Sequence, residues 1–124
     1  MSVKDLTDKQ LNRALAELMG YTVEIGPVTR LWRLMKDGKI KATSGESEEL
    51  MWSYTPDYCA DPAASLEVQA KAIEVDSESY IKNLFGTVIS PDFICLEYDQ
   101  IASLLSASPR ERAEAAYMTL SSQD

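Results

Sequence analysis

"VTRLWRLMKDGKIKATSG", Val28 to Gly45, decides whether this chain is all helical or mixed. Val28, Leu31, Trp32 and Met35 suit helical spacing. Asp37-Gly38, however, is a strong two-residue hairpin signal, and β-branched and aromatic residues stand on either side of it. The stretch therefore reads as two antiparallel strands, Thr29 to Met35 and Lys39 to Thr43. Immediately upstream, "YTVEI" alternates Tyr21, Val23 and Ile25 with Thr22 and Glu24, the period of a half-buried strand, until Gly26-Pro27 breaks it.

Helices are expected on both sides of these strands. Thr7 followed by Gln10 has capping-box spacing and predicts a helix from Asp8, with Leu11, Ala14, Leu15 and Leu18 as its apolar stripe and Gly20 as its stop. After the hairpin, "SGESEEL", Ser44 to Leu50, reads as a polar loop. Asp61 then caps a second helix with Pro62 in its first position, where a missing N–H costs nothing. Its expected buried stripe is Ala63, Leu66, Ala70 and Ile73. "DSESYIKNLFGTVIS" reads as a short helix capped by Asp76 or Ser77 and stopped at Gly86, with a strand as the alternative. Phe93, Ile94, Cys95 and Leu96 are an apolar run of the kind found in an interior strand, and "DQIASLLSA" forms a helical turn or two. The closing "SPRERAEAAYMTL" has Ser108 as cap, Pro109 in first position, Glu111 as capping-box partner, and Ala113, Ala116, Tyr117 and Leu120 as its stripe.

Length and composition bound the function. The 124 residues suit one domain, and 45% apolar with 26% charged residues is the balance of a chain that folds. A net charge of -8 disfavours general attraction to nucleic-acid phosphates and anionic membranes. Neither a signal peptide nor a bilayer-length apolar run is visible, which gives a cytoplasmic expectation. Two cysteines without a secretory context predict reduced thiols, one or both in or near the core. The chain has no histidine. That removes the usual base of serine and cysteine nucleophiles and the usual zinc and iron ligand, so any catalysis would rest on carboxylates, tyrosine, lysine or cysteine. With no catalytic constellation among these, the chain is read as a non-enzyme without metal or cofactor, an enzyme using carboxylates or Cys59 being the lesser alternative.

Two residue sets stand out as candidate ligand sites. Arg30, Arg33, Lys36, Lys39 and Lys41 concentrate five basic residues in the hairpin, where Trp32 can stack on a base or receive a cation. The plainer account is an edge hairpin whose lysines discourage sheet-to-sheet pairing. Trp52, Tyr54 and Tyr58 precede the second helix and can line a pocket for a flat ligand, or seal an edge of the core. Asp57 and Asp61 lie four apart, but a cap explains Asp61 and no third ligand has diagnostic spacing. Cys59 beside a helix start could be activated, yet it lacks a basic neighbour in sequence, which favours a packed thiol. Arg110 and Arg112 sit in the first turn of the last helix, where the macrodipole disfavours positive charge. Either Glu111 and Glu114 offset that cost, or the pair marks a surface for an acidic partner.

Together, "LTDKQLNRALAELMGY", the hairpin, "PDYCADPAASLEV" and "ASPRERAEAAYMTL" resemble the phage ABA-sandwich family of small phage and prophage proteins. The likeness centres on Pro56, Tyr58, Asp61, Ala63 and Ala64, which fit the family's P-x-Y-x-x-D-x-A-A pattern. Cys59 stands where a small polar residue is expected, and the segment from Asp76 to Ala107 is longer than usual, which leaves the local strand order there open. The resemblance implies an α+β fold, a small mostly antiparallel sheet with helices packed on its faces as an α-β-α sandwich. It also implies an accessory role in a bacterial host cell. The expected function is binding of a host protein or self-association as a homo-oligomer. The alternative is sequestration of a nucleotide-derived host defence signal by Arg30, Trp32, Arg33, Trp52, Tyr54 and Tyr58.

Overall fold

The computed structural model describes residues 2–92 and 95–123. A 3-10 turn, Val3–Asp5, leads into α1 (Asp8–Leu18). The strands β1 (Tyr21–Ile25), β2 (Trp32–Lys36) and β3 (Lys39–Ser44) follow, and then α2 (Glu48–Trp52), α3 (Pro62–Val88), α4 (Tyr98–Leu105) and α5 (Pro109–Ser121). The class is α+β, with a three-stranded antiparallel sheet in the order β1-β2-β3 and helices packed on it.

Hairpin chemistry prevails where the turn signal placed it. Asp37 and Gly38 both hold positive φ, 54° and 76°, so β2 and β3 reverse through two left-handed residues, as a two-residue turn matched to strand twist requires. The first hairpin strand begins later than expected, at Trp32 rather than Thr29. The cause is a turn over residues 26–31, closed by Gly26 N–H donating to the Leu31 carbonyl (2.8 Å) and Arg30 N–H donating to the Gly26 carbonyl (3.1 Å). Register pairs Val23 with Leu34 and Leu34 with Ala42, which sets these three on one face. Leu34 is buried there, and α2 packs across all three strands. Thr22, Glu24, Arg33 and Thr43 point to the opposite face.

Ser44 to Leu50 is not all loop. Ser47 accepts from the Leu50 N–H at 3.1 Å and starts α2, whose Met51 and Trp52 are buried. A serine cap with two glutamates behind it is a helix start that the acidic composition disguised.

The cores of α3 and α5 meet along small residues. Ala64, Ser65, Val68 and Ala72 of α3 and Ala113, Ala115 and Ala116 of α5 are buried, and small side chains let two backbones approach closely. The cap at Asp61, which accepts from the Ala63 N–H at 3.0 Å, and Pro62 in first position stand as expected. The expected phase of this helix does not. Leu66 and Ile73 are 48% and 41% exposed, and Ala63 and Ala70 also face out, one residue off the buried set. The expected stripe is displaced by Ala64, Ser65, Val68 and Ala72, the set of smaller residues that packs against α5.

Asp76 breaks the helix (φ -160°, ψ 88°), and its carboxylate accepts from the Ser79 N–H at 3.1 Å and the Ser79 hydroxyl at 2.8 Å, so it does start a new helical segment. That segment passes Gly86 and ends at Val88. The interior strand expected from Phe93 to Leu96 falls partly outside the described residues, at Phe93 and Ile94. Cys95 and Leu96 are in no strand and are exposed. Both cysteines are free thiols, with Cys59 buried.

Candidate functional site

The first half of α1, the end of α2 and the loop toward α3 line an open pocket of about 480 Å³, walled by Asp8, Lys9, Asn12, Arg13, Glu49, Trp52 and neighbouring polar residues. Trp52 is 9% exposed, and its ring is covered by the Arg13 guanidinium, 4.8 Å from the ring centroid. Arg13 is held above it by Glu17 (3.2 Å) on its own helix and by Glu48 (3.6 Å) on α2. The indole Nε1–H is the only buried side-chain nitrogen or oxygen among the described residues without a hydrogen-bond partner. Such an orphaned donor costs about 1–3 kcal/mol relative to a satisfied one.

Chain segments far apart in sequence are tied around this cavity by Asn12. Its Nδ2 donates to the Asp57 carboxylate (2.9 Å), while its Oδ1 accepts from the Cys59 N–H (3.1 Å). The Thr55 hydroxyl donates back to the Trp52 carbonyl at 2.7 Å, closing the end of α2. Asp8 on the near wall is paired with Arg110 of α5 at 2.7 Å.

The sequence-derived candidates are dispersed by the fold. Trp52 lines the cavity. Tyr58 is buried in the core, and Tyr54 is exposed and not part of the wall. Arg30, Trp32 and Arg33 also lie outside the wall. Arg33 is engaged by Glu24 across the strand pair at 2.6 Å, and Arg30 occupies the turn before β2 with φ 61°. The hairpin's cations are therefore divided between a cross-strand pair, a turn, the half-buried Lys36 over the Tyr21 ring (4.8 Å to the centroid), and the exposed Lys39 and Lys41. Arg13 and Asn12 are the residues the sequence reading missed. Their only signal was their place on the polar face of α1, which does not separate a wall from solvent.

Cys59 is the reverse of an activated thiol. Burial, with Asp8 and Asp57 nearby, pushes it up to about 11 despite the Arg110 guanidinium 3.9 Å from Sγ. Among the described residues no group of three or more Asp, Glu or Cys side chains gathers closely enough to hold a metal ion. The tension at the start of α5 also resolves. Arg110 donates to Asp8, Glu114 (2.7 Å) and the Leu6 carbonyl (2.8 Å), and Arg112 is buried, donating to the Ser65 hydroxyl (2.9 Å) and the Ala107 carbonyl. Glu114 indeed offsets the charge at position 110, and both arginines are turned inward.

Set against family models, curated proteins and solved structures, the chain matches none of them.

Proposed function

We propose that this protein acts by binding rather than by catalysis, and that the cavity beside Trp52 receives a small, flat, polar molecule. The open pocket of about 480 Å³ that the Trp52 side chain helps to line carries this reading. The guanidinium of Arg13 adds a plane on which a ring can stack. Three carboxylates against two cations in the wall, Asp8, Glu49 and Asp57 against Lys9 and Arg13, disfavour a polyphosphate. A nucleobase or nucleoside fits better than a nucleotide triphosphate. This narrows the host-signal alternative to the base end of such a molecule. A phage or prophage accessory role in the bacterial cytoplasm is supported by the resemblance of the opening helix, the hairpin and the closing helix, centred on Pro56, Tyr58, Asp61, Ala63 and Ala64.

The test is a thermal-shift panel of free bases, nucleosides and nucleotides, read beside the fluorescence of a Trp32→Phe protein in which Trp52 is the only indole. A ligand at about a hundred times its dissociation constant stabilises the fold by about 2.7 kcal/mol. Binding that raises the melting temperature and moves Trp52 emission supports the cavity. A panel that leaves both unchanged, or a shift that survives Trp52→Phe in full, sinks it.

A further inference from the structure

Helix α4 buries Leu104 and leaves three large apolar residues uncovered. Tyr98, Ile101 and Leu105 are spaced i, i+3 and i+7, which puts them on one face, and they are 92%, 39% and 80% exposed. Of this helix only Leu104 is buried, and Ala107 just beyond it is the next anchor. A row of three large apolar side chains is how one amphipathic helix meets another, and a contiguous exposed row of this kind marks an interaction surface.

Charge decides what can cover it. From Asn83 to Pro109 the sequence holds Asp92, Glu97 and Asp99 and not one lysine or arginine. Glu97 and Asp99 flank Tyr98 directly. A second copy would bring the same carboxylates and another net charge of -8 against them, and an anionic lipid surface meets the same repulsion. A partner with apolar residues framed by cations gains from both the stripe and the rim.

We propose that α4 is a docking surface for a basic amphipathic helix of another protein. The surface is independent of the Trp52 cavity and stands whether or not that cavity binds a ligand. Its probe is a fluorescein-labelled peptide of about 18 residues, leucine and lysine at helical spacing, with a leucine and glutamate peptide as its opposite. Fluorescence anisotropy should show binding of the lysine peptide alone, weakened about tenfold by Leu105→Ser or Tyr98→Ser and further by the double variant. Raising the salt should weaken it as well. Because both side chains are exposed, the variants should melt with the wild type, which keeps loss of binding distinct from loss of fold. Three results would overturn the proposal. One is a lysine peptide that binds the double variant as it binds the wild type, or binds neither. Another is a glutamate peptide that binds equally well. The third is a wild type that dimerises or binds anionic vesicles through these residues.

Discussion

Arg110→Ala should be among the most damaging single changes at the chain's polar positions. Its guanidinium joins α5 to Asp8 and the Leu6 carbonyl at one end and to Glu114 at the other. The Asp8 side chain is two-thirds exposed, so that pair contributes less than about 1 kcal/mol. Glu114 is different, because its side chain is only 10% exposed and Arg110 is its sole ion-pair partner among the described residues. Removing one member of a buried pair costs about 3–5 kcal/mol, mostly because the other charge is left without compensation. Arg110 itself retains some solvent contact, which argues for the low end, about 3 kcal/mol. For a domain of this size that lowers the melting temperature by about 12 °C. Urea titration at neutral pH, with an unchanged slope, measures it directly. The double change Arg110→Ala with Glu114→Ala removes both charges and should recover part of the loss. A single variant that costs under about 1 kcal/mol, or a double variant less stable than the single, would refute the argument.

Two further tests address the core. Leu66→Ser should change stability by no more than about 0.5 kcal/mol, whereas Val68→Ser should cost more than about 2 kcal/mol, and equal effects in urea titration would mean the helix phase is wrong. Burial also pushes up three weak acids, Tyr58, Tyr80 and Cys59, from ordinary values of 10.0, 10.0 and 9.0. Each raised group favours its protonated form in the folded state, so its contribution is complete below pH 9. It is lost as alkali strips protons from the unfolded chain first. Melting temperature followed from pH 8 to 12 should therefore fall above pH 9, with Tyr58 and Tyr80 ionising only on unfolding. Six tyrosines ionising together in the folded protein would contradict this.

Local chemistry was legible in the sequence, and tertiary choice was not. The capping boxes at Thr7 and Gln10 and at Ser108 and Glu111, the Asp61-Pro62 start and the Asp37-Gly38 turn all stand where residue type alone placed them. Each is a bond or a dihedral settled within four residues. The phase of α3 was not legible, because Ala64, Ser65, Val68 and Ala72 and the rival set with Leu66 and Ile73 both satisfy helical spacing. Hydrophobicity favours the larger set, and it loses because α5 offers a surface of alanines that admits only small partners. Transfer free energy ranks faces, but shape chooses between them. The same limit hid the cavity. Grouping aromatics by nearness in sequence joined Trp52 with Tyr54 and Tyr58, whereas the wall is completed by α1, some forty residues earlier.

Asn12 and Arg110 explain why that wall has a definite shape. Asn12 uses its donor on Asp57 and its acceptor on the Cys59 amide, a pairing that fixes the loop before α3 at both ends of one side chain. Arg110 fixes the start of α1 through Asp8 and Leu6, and it places a cation beside the Cys59 sulfur. Both therefore converge on the same short segment, from Asp57 to Cys59, with α1 on one side and α5 on the other. A cavity between a helix and a loop usually closes or drifts when the loop moves. Here the loop is tied by charged and amide hydrogen bonds to elements that are themselves capped and packed, so the wall beside Trp52 is braced from both α1 and α5. The Trp52 indole is held among these same elements. Its Nε1–H is buried without a partner among the described residues while Arg13 covers the ring, a local cost of about 1–3 kcal/mol that the surrounding packing offsets.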